Sequence, residues 1–410
     1  YPAPDFASLT GAEALVDADI KLTNSLLIFA RHLAAGRIAP ARVVAEVDYG
    51  NHTPEPADIL KKISEARDAG AALDGFNPPH QGFRALKEKL AELRRGSAQP
   101  DHRIADGAVI KPGAKDARVP ALREKLGLAG KPDDLSYDKA LLNAVKKVQE
   151  RADIKPTGLI DAKTLAAING PTPAQTIERI AANMERWRWL PRDLGEERVE
   201  VNIPDFELAL VRNGEVAHRA RVIVGKETTP TPIFSNALQY LIVNPYWNVP
   251  PSILNKEMLP KANGDVAAIA ASGFNVSYRG GKLVVRQPPG ERNALGRIKF
   301  MFPNDFSVYL HDTPSRNLFA ASHRAFSHGC MRVDAPFAFA EAVLGPGSGW
   351  SESRVRRLIG GSERYINLAK PLPIHIEYFT AYVDEGGRIV LRPDLYGYSA
   401  RVRKALGLGA

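Results

Sequence analysis

The sequence predicts a multidomain α+β protein, with a helical first half and a β-rich second half. The chain has 410 residues, which corresponds to between two and three domains of about 150 residues each. Hydrophobic residues make up 44% and charged residues 25% of the chain, the balance of a globular protein that buries sizeable cores. The hydrophobic period is helical as far as about residue 190 and becomes the two-residue period of strands from residue 198.

Residues 1–107 are predicted to form a helical region. Apolar residues recur at helical spacing over 12–34 and 56–69, and the pattern resumes over 83–95. The Gly- and Pro-containing segment 96–100 has the composition of a linker. We place the end of this region at residue 107, shortly after that linker.

Residues 108–170 are predicted to form a small unit of three short helices. Their apolar residues fall into two stripes, and a third helix is expected over 162–168. The first stripe comprises Val119, Leu122, Leu126 and Leu128, and the second comprises Leu141, Leu142, Val145 and Val148. A further helix is expected over 172–190, inside a linking segment that spans 171–197.

Residues 198–378 are predicted to be β-rich, and residues 379–410 to form a C-terminal extension. Asn213 and Gly214 have the composition of a tight turn that joins two strands into a hairpin. Residues 251–303 are interpreted as an insertion that begins with a helix. Further strands are expected over 238–243, 282–286, 299–303, 307–310 and 371–378, and a helix over 335–344 with Asp334 at its N-cap.

The net charge of +9 and the pI of about 9.4 favour an anionic partner. No Lys/Arg run has the length of a nucleic-acid-binding arm, so we expect no nucleic-acid partner. No apolar stretch reaches the length of about 18 residues that a membrane span requires, so no span is predicted. The sequence begins at Tyr1 without Met, which is typical of a processed or trimmed chain from which a signal peptide or anchor has been removed.

The chain has a single cysteine, Cys330, in the segment Ser-His-Gly-Cys-Met-Arg. One cysteine cannot form an intramolecular disulfide, and it offers too few sulfur ligands for an ordinary structural zinc site. We therefore predict no metal. A lone cysteine is often only a small buried hydrophobic residue. The polar, glycine-containing surroundings of Cys330 favour the other interpretation, a nucleophile.

Three histidines lie close to Cys330 in the sequence: His311, His323 and His328. If the segment is extended, His328 and Cys330 project to the same side. His311 ends a strand-like run, and the intervening loop is long enough to return it opposite the thiol. Gly329 permits close approach of a substrate, and backbone N–H groups near Cys330 are natural donors to an oxyanion.

The unit at residues 108–170 resembles the peptidoglycan-binding type 1 module in its order of motifs. One departure is Val148, which stands where the module usually has an aromatic residue before Gln149. The matching elements are Pro112-Gly113, Val119, Leu122-Arg123, Ala144-Val145, Gln149, Thr157-Gly158, Lys163-Thr164-Leu165 and Asn169.

The segment around Cys330 resembles the YkuD-type catalytic domain of L,D-transpeptidases, whose signature is a histidine, a gap, and then Ser/Thr-His-Gly-Cys. Further elements resemble the larger, YcbB-like subgroup, which also carries a helical scaffold, a peptidoglycan-binding module and a capping insertion over the active site. The signature here is His311 followed by 327–332. The further elements are Val224-Gly225-Lys226, 231–234, 244–250, 293–296 and 309–314.

The resemblance implies a role for each matching residue. Cys330 is the expected nucleophile, and His311 the general base and then acid, oriented by a backbone carbonyl near Asp312. His328 is expected to shape the oxyanion site and to help hold the thiolate. The N–H groups of Gly329 and Cys330, with Tyr309, are the expected oxyanion donors.

Five residues are candidates for substrate binding. Arg332 is expected to position loops or to meet a substrate carboxylate, and an internal salt bridge is the alternative for it. Tyr246 and Trp247 are candidates for the cleft lining, with hydrophobic packing as the alternative for both. The full set is Tyr309, Arg332, Ser327, Trp247 and Tyr246.

The implied reaction is formation of a 3-3 cross-link between peptidoglycan stem peptides, through a thioester on the enzyme and with release of D-alanine. The expected partners are a tetrapeptide donor, a diamino-acid acceptor and carbapenem-type β-lactams as covalent inhibitors. No cofactor is required, and the expected location is the periplasm or cell envelope. L,D-carboxypeptidase activity, D-amino-acid exchange and a non-catalytic wall-binding function are the alternatives.

Overall fold

The computed structural model describes the chain except residues 2, 3, 6, 8, 97–102, 153 and 410. From residue 97 onward, the linker expected at 96–100 lies outside the described residues. The chain divides into two compact units. The first comprises Tyr1–Val44, Asn51–Arg192 and Phe379–Ala410, and the second comprises Ala45–Gly50 and Asp193–Tyr378.

The α-helices, in chain order, are α1 Ala12–Ala35, α2 Pro56–Ser64, α3 Ala69–Asp74, α4 Gln81–Arg94, α5 Val119–Lys125, α6 Lys139–Arg151, α7 Ala162–Asn169, α8 Pro173–Trp187, α9 Pro251–Ile253, α10 Leu259–Lys261, α11 Val266–Ala271, α12 Pro336–Leu344, α13 Glu352–Arg356 and α14 Tyr398–Ala405. One π-helical turn, Leu254–Met258, joins α9 to α10. Short 3₁₀ turns lie at Pro40–Arg42, Ile203–Asp205 and Arg316–Ala320.

The strands are β1 Val47–Asp48, β2 Glu197–Asn202, β3 Glu207–Arg212, β4 Glu215–Gly225, β5 Ile233–Val243, β6 Trp247–Asn248, β7 Asn275–Arg279, β8 Lys282–Gln287, β9 Ile298–Met301, β10 Leu310–His311, β11 Ala325–Ser327, β12 Met331–Val333, β13 Arg364–Glu377, β14 Ala381–Val383 and β15 Ile389–Leu391. Mixed helix and sheet, with a helical N-terminal region, confirm the predicted α+β class.

The first unit contains the small three-helix module predicted from the sequence, built from α5, α6 and α7. Both predicted stripes contribute to one hydrophobic cluster, and Asp138 and Asp161 cap α6 and α7 by accepting backbone N–H bonds. The fully buried members Val119, Leu122, Leu141 and Val145 hold the three helices together. Gln149 is buried and bonds the loop at Gly158 and Leu159.

The second unit is organised by one large sheet that closes on itself. Its strand order is β1-β5-β13-β2-β3-β4-β12-β10-β9, and β9 pairs with β5 as well as with β10. The predicted hairpin turn at Asn213 and Gly214 is present, with φ of 52° and 81° at the two residues. Those left-handed angles match a two-residue turn between twisted strands, so the local sequence sets the β3–β4 register.

Most of the predicted insertion forms a separate small subdomain of the second unit, whereas its last strand, β9, belongs to the large sheet. The turn at Gly280 and Gly281 joins β7 to β8, and β6 pairs with β8 to complete a three-stranded sheet. The short helices of the insertion pack on this sheet through a hydrophobic cluster of their own, which includes Val249, Leu254, Ile269 and Val285.

Two local predictions were wrong near the site. The strand expected over 307–310 is limited to Leu310–His311, because Ser307 has a left-handed backbone (φ 57°) that breaks the extended run. Asp334 is not the N-cap of α12: Ala335 holds that position with φ 48°, while the Asp334 carboxylate pairs with Arg221 at 2.6 Å.

Among the described residues, no helix combines the length and the hydropathy that crossing a membrane requires.

Candidate active site

Three strands place one row of charged or titratable side chains on a single face of the sheet. β10 runs parallel to β12 with His311 opposite Arg332, and antiparallel to β9 with His311 opposite Lys299. Residues directly opposite each other on neighbouring strands share a face. Lys299, His311 and Arg332 therefore form a row across β9, β10 and β12.

Cys330 and Tyr309 extend this row by one step along the strands. Each directly precedes a strand, and the next residues, Met331 and Leu310, are fully buried on the opposite face. Because side chains alternate along extended chain, Cys330 and Tyr309 lie on the same face as the row. The rings of Tyr309 and His311 meet edge to face with centroids 5.7 Å apart.

The segment before Cys330 is a tight bend, not the extended chain assumed for His328. Gly329 has φ of 113°, a conformation that L side chains rarely adopt. The Gly329 N–H donates to Ser327 Oγ at 3.1 Å, and Ser327 Oγ donates to the Cys330 carbonyl at 2.5 Å. The buried hydroxyl of Ser327 is therefore used inside the turn that presents the thiol.

Thr231 ties this turn to β4. Its fully buried hydroxyl accepts the Gly225 N–H at 2.9 Å and donates to the Gly329 carbonyl at 2.9 Å. Its neighbourhood is tightly packed, since a Cβ added at Gly225 would lie 2.2 Å from the Thr229 carbonyl oxygen. The element at 231–234 that was noted in the sequence thus supports the cysteine turn through Thr231.

Thr231→Val keeps the side-chain shape and removes both hydrogen bonds. We expect it to lower the free energy of unfolding by about 2 kcal/mol, because both bonds are buried. Urea unfolding followed by fluorescence measures this change. Thr228→Val is the matched control at an exposed position and is expected to change the stability by less than about 0.5 kcal/mol. Equal stabilities for the two variants would contradict the role given to Thr231.

Cys330 is a free, half-buried cysteine. Burial raises the pKa of the Cys330 thiol above its ordinary value. Hydrogen bonds from the backbone and side chain of Tyr309 and the charges of Lys299 and Arg332 oppose that rise in pKa. Among the described residues, the Cys330 N–H has no hydrogen-bond acceptor, so it is available to a ligand.

His311 is a neutral base with a fixed tautomer. Its Nδ1 lies 2.5 Å from the Asp312 carbonyl oxygen, which can only accept, so Nδ1 carries the proton and Nε2 carries the lone pair. Burial lowers the pKa of His311 to about 3, and the positive charges of Arg332 and Lys299 act in the same direction. The carbonyls of Asp312 and Leu295 partly oppose this lowering of the pKa.

The Asp312 carboxylate fixes the loop that orients His311. It accepts the Arg297 N–H at 2.8 Å and pairs with Arg316 at 2.8 Å, and its side chain is buried. Gly296 lies against it: a Cβ at Gly296 would approach the carboxylate to 2.4 Å. The Asp312 carbonyl that orients His311 is therefore fixed in place, because the Asp312 side chain is bound by both the Arg297 N–H and Arg316.

His328 points away from the buried row toward the insertion. Its Nε2 lies 2.5 Å from Glu257 Oε1, and both side chains are about one-third exposed, at 35% and 36%. Glu257 belongs to the π-helical turn of the insertion. The contact joins the cysteine segment to the insertion, and at this exposure it contributes little to stability.

The structure places the remaining candidates as follows. Arg332 is half-buried, and within the described part of the chain no carboxylate pairs with it, so the internal salt bridge is not found. Trp247 packs against Phe274 inside the insertion, and Arg286 stacks on the ring of Tyr246 at 3.7 Å. No described contact joins either aromatic ring to Cys330 or His311.

Sequence reasoning missed two residues of this region. Lys299 lies in the strand expected over 299–303, and a single lysine within an apolar strand is itself a signal that the position has a use. Glu257 carried no signal, because only the fold brings the insertion to His328. His323, the third histidine close to Cys330 in the sequence, meets the ring of Phe206 edge to face.

No group of three or more His, Cys, Asp or Glu side chains that would suit a metal ion occurs in the described ranges.

Three family models match the sequence. Residues 196–356 match the "L,D-transpeptidase catalytic domain", YkuD. Residues 3–90 match the "Scaffold domain", and residues 119–168 match the "Putative peptidoglycan binding domain". The chain therefore contains a YkuD-type catalytic domain and a peptidoglycan-binding type 1 module, as the resemblance predicted.

Individual proteins are similar over part of the chain. A "Putative L,D-transpeptidase" of Haemophilus influenzae is 33% identical over 249 residues, which are 56% of this chain and 49% of that protein. The chain thus spans about half the length of this relative. An L,D-transpeptidase from Mycobacterium smegmatis aligns at 14% identity over 44% of this chain and 58% of that chain (TM-score 0.23). An LD transpeptidase in complex with imipenem aligns at 16% identity over 44% and 59% (TM-score 0.22).

Proposed function

We propose that the L,D-transpeptidase catalytic domain at residues 196–356 forms 3-3 cross-links between peptidoglycan stem peptides. The donor is a stem tetrapeptide, Cys330 carries the acyl group as a thioester, and D-alanine leaves. The observation that carries the proposal is a reachable thiol on the same sheet face as a buried, neutral histidine with a fixed tautomer. A thiol and a base so arranged are the requirements of nucleophilic acyl transfer.

The first half-reaction acylates the enzyme. As Cys330 Sγ attacks the carbonyl carbon after the third stem residue, its proton passes to Nε2 of His311 and a C–S bond forms. The Cys330 N–H and the Tyr309 hydroxyl are the proposed donors to the oxyanion. The Gly329 N–H, which was expected as a further donor, donates to Ser327 Oγ instead. Collapse breaks the C–N bond, and His311 returns the proton to the departing amine of D-alanine.

The second half-reaction releases the product. The side-chain amine of a diamino acid on a second stem attacks the thioester carbonyl and loses a proton to His311. The C–S bond breaks, the amide bond of the cross-link forms, and the sulfur regains the proton. Both halves need a base with a free lone pair, and the lowered pKa of His311 keeps Nε2 unprotonated before each proton transfer.

The other candidate residues receive supporting roles in this proposal. Gly329 lets the backbone approach the substrate, while Ser327 holds the turn. His328 borders the site and connects it to Glu257. Tyr246 and Trp247 retain the role of a more distant cleft lining. The part of the insertion that precedes β9 retains the role of a cap.

We assign the rest of the chain by the same reasoning. Residues 1–107 act as a helical scaffold, 108–170 as a wall-binding module, 171–197 as a linker and 379–410 as a C-terminal extension. A polymer-binding module and a positive net charge fit an anionic wall polymer as partner. The proposed location is the cell envelope, on the periplasmic side, and membership of the YcbB-like subgroup is part of the proposal.

Mass spectrometry of purified stem tetrapeptide incubated with the protein tests the proposal. A peptide dimer accompanied by D-alanine is the expected product. Unchanged tetrapeptide at pH values from 5 to 9, with a folded protein, would overturn the proposed function. The Cys330→Ala variant, which is expected to be inactive, serves as the control for contaminating activities.

Hydrolysis is the second candidate, because Cys330 is partly open to solvent and water can therefore reach a thioester formed there. Water in place of the acceptor amine makes the protein an L,D-carboxypeptidase, and a free D-amino acid makes it an exchange enzyme. Tripeptide alone, without dimer, identifies the first, and tetrapeptide with a labelled D-amino acid at its end identifies the second.

A carbapenem is expected to acylate Cys330. Attack of the thiol opens the β-lactam ring, so the protein gains the full mass of one inhibitor molecule without a leaving group. Intact mass spectrometry measures this gain, and peptide mapping locates it. Cys330→Ala should show no adduct, and an adduct of equal yield on that variant would contradict the assignment.

A further inference from the structure

Two cations face the thiol without a carboxylate partner. Lys299 and Arg332 occupy the two ends of the row that has His311 at its centre, and both are half-buried. In the described part of the chain, neither forms an ion pair with an acidic side chain. The acidic residue that acts electrostatically on Lys299 is Glu363, which is engaged by the Tyr246 N–H at 2.9 Å and by Arg286 at 3.7 Å.

Two half-buried cations without a carboxylate partner are energetically unfavourable in the protein without substrate. Burying a cation without a counterion is unfavourable, and burial lowers the pKa of both Lys299 and Arg332. Lys299 Nζ lies 5.1 Å from the centroid of the Tyr309 ring, and the buried Nε of Arg332 has no hydrogen-bond partner among the described atoms. An anion at this place would relieve the cost at both residues.

We propose that Lys299 and Arg332 bind the free C-terminal carboxylate of the donor's leaving residue, an inference that rests on the proposed function. That carboxylate carbon is three bonds from the scissile carbonyl carbon, a span of no more than about 4 Å. When Cys330 Sγ attacks the carbonyl, the carboxylate must therefore lie in its immediate surroundings, where these two side chains are the cations.

The carboxylate clamp, as we call Lys299 and Arg332, explains which bond is cut. Only the last residue of a peptide carries a free carboxylate at this position. One further residue replaces that carboxylate by a neutral amide, which leaves both cations unpaired. The clamp thus makes Lys299 a residue that determines specificity for release of a single terminal residue.

The same clamp also links substrate binding to the base. Both cations hold the pKa of His311 down, so a bound carboxylate offsets their charge and raises the pKa of His311 in the complex. The charged and titratable groups around His311 come from three strands and the residues next to them. They are Lys299 on β9, Tyr309 and Asp312 on either side of β10, with Asp312 paired to Arg316, and Cys330 and Arg332 at β12. The pH profile of kcat reports the pKa of His311 in the complex, whereas that of kcat/KM reports its pKa in the free protein. We therefore expect the acid-side fall of kcat to occur at a higher pH than the acid-side fall of kcat/KM.

The test compares two donor peptides: the stem tetrapeptide, and the same peptide with its C-terminal carboxylate converted to an amide. The wild type is expected to prefer the free acid by about 10- to 100-fold in kcat/KM, the range of a hydrogen bond to a charged group. In Lys299→Met the ratio of kcat/KM for the acid to kcat/KM for the amide should be about tenfold smaller than in the wild type, and Lys299→Arg should keep the wild-type ratio. Lys370→Met, at an exposed lysine on β13, is the matched control and should behave as wild type.

The preference is a ratio measured within one variant, so a smaller folded fraction does not change it. If the wild type cleaves both peptides with equal kcat/KM, or if Lys299→Met keeps the full preference, the clamp is overturned while the proposed function stands. If the wild type cleaves neither peptide, the proposed function itself fails.

Discussion

Cys330→Ala is expected to abolish turnover of the stem tetrapeptide, with a loss of more than about 10⁴-fold in kcat, while the protein stays folded. The variant removes the atom that forms the covalent bond, and no second cysteine exists to replace it. The turn around the residue is held by Ser327, Gly329 and Thr231 through backbone and hydroxyl bonds that do not use the sulfur. Release of D-alanine, measured by a coupled assay, gives the turnover rate.

Cys330→Ser provides the matched comparison, because it keeps the side-chain size and replaces the thiol by a much weaker nucleophile. Both variants should show the circular dichroism spectrum and unfolding midpoint of the wild type to within a few degrees. Residual D-alanine release within about tenfold of wild type in Cys330→Ala would rule out the thiol as the nucleophile.

His311→Gln is expected to reduce the rate of acylation by about 10²- to 10⁴-fold, the usual contribution of a general base. Glutamine retains an N–H donor for the Asp312 carbonyl but has no basic nitrogen in place of Nε2. Rapid-quench measurement of the first turnover separates acylation from the later steps. His323→Gln, at a histidine that contacts only Phe206 among the described contacts, is the control and should be unchanged.

The pH profile gives His311 a signature that a merely structural residue lacks. Because burial lowers its pKa to about 3, His311 stays neutral far below the usual pKa of histidine, and kcat/KM should fall on the acid side only well below pH 6. The alkaline side should extend upward, since burial raises the pKa of Cys330. An acid limb near pH 6.5 would show instead that His311 keeps an ordinary pKa.

The same lowered pKa affects stability. The unfolded chain takes up a proton at His311 near pH 6.5, whereas the folded protein does so only near pH 3. Over that window the unfolded state binds more protons, so the free energy of unfolding decreases as the pH falls. In His311→Gln this part of the pH dependence should disappear from urea unfolding curves.

The sequence allowed the fold class and the centre of the site to be predicted because both depend on local signals. The change of hydrophobic period near residue 198 separated helical from β-rich regions, and the turn at Asn213 and Gly214 fixed one hairpin. The spacing of His311 and the segment around Cys330 identified the two residues that the structure places on one face.

What could not be predicted depends on contacts between distant segments. Closure of the sheet requires β9 to pair with β5, some 60 residues away in the sequence, and no local signal specifies that pairing. The pairing of β9 with β10, which places Lys299 opposite His311, is also a tertiary contact without a local signal. The error at Asp334 has the same origin, because a distant arginine, Arg221, competes for the carboxylate that local sequence assigned to a helix N-terminus.

The central claim is that a stem peptide becomes covalently attached to Cys330. Mixing the protein with tetrapeptide, quenching in acid within the first turnover and measuring the intact mass tests it most directly. We predict a mass gain equal to the tripeptide acyl group, mapped to the peptide that contains Cys330 and absent from Cys330→Ala. Release of D-alanine without any such adduct, or an adduct that persists in Cys330→Ala, would contradict the account.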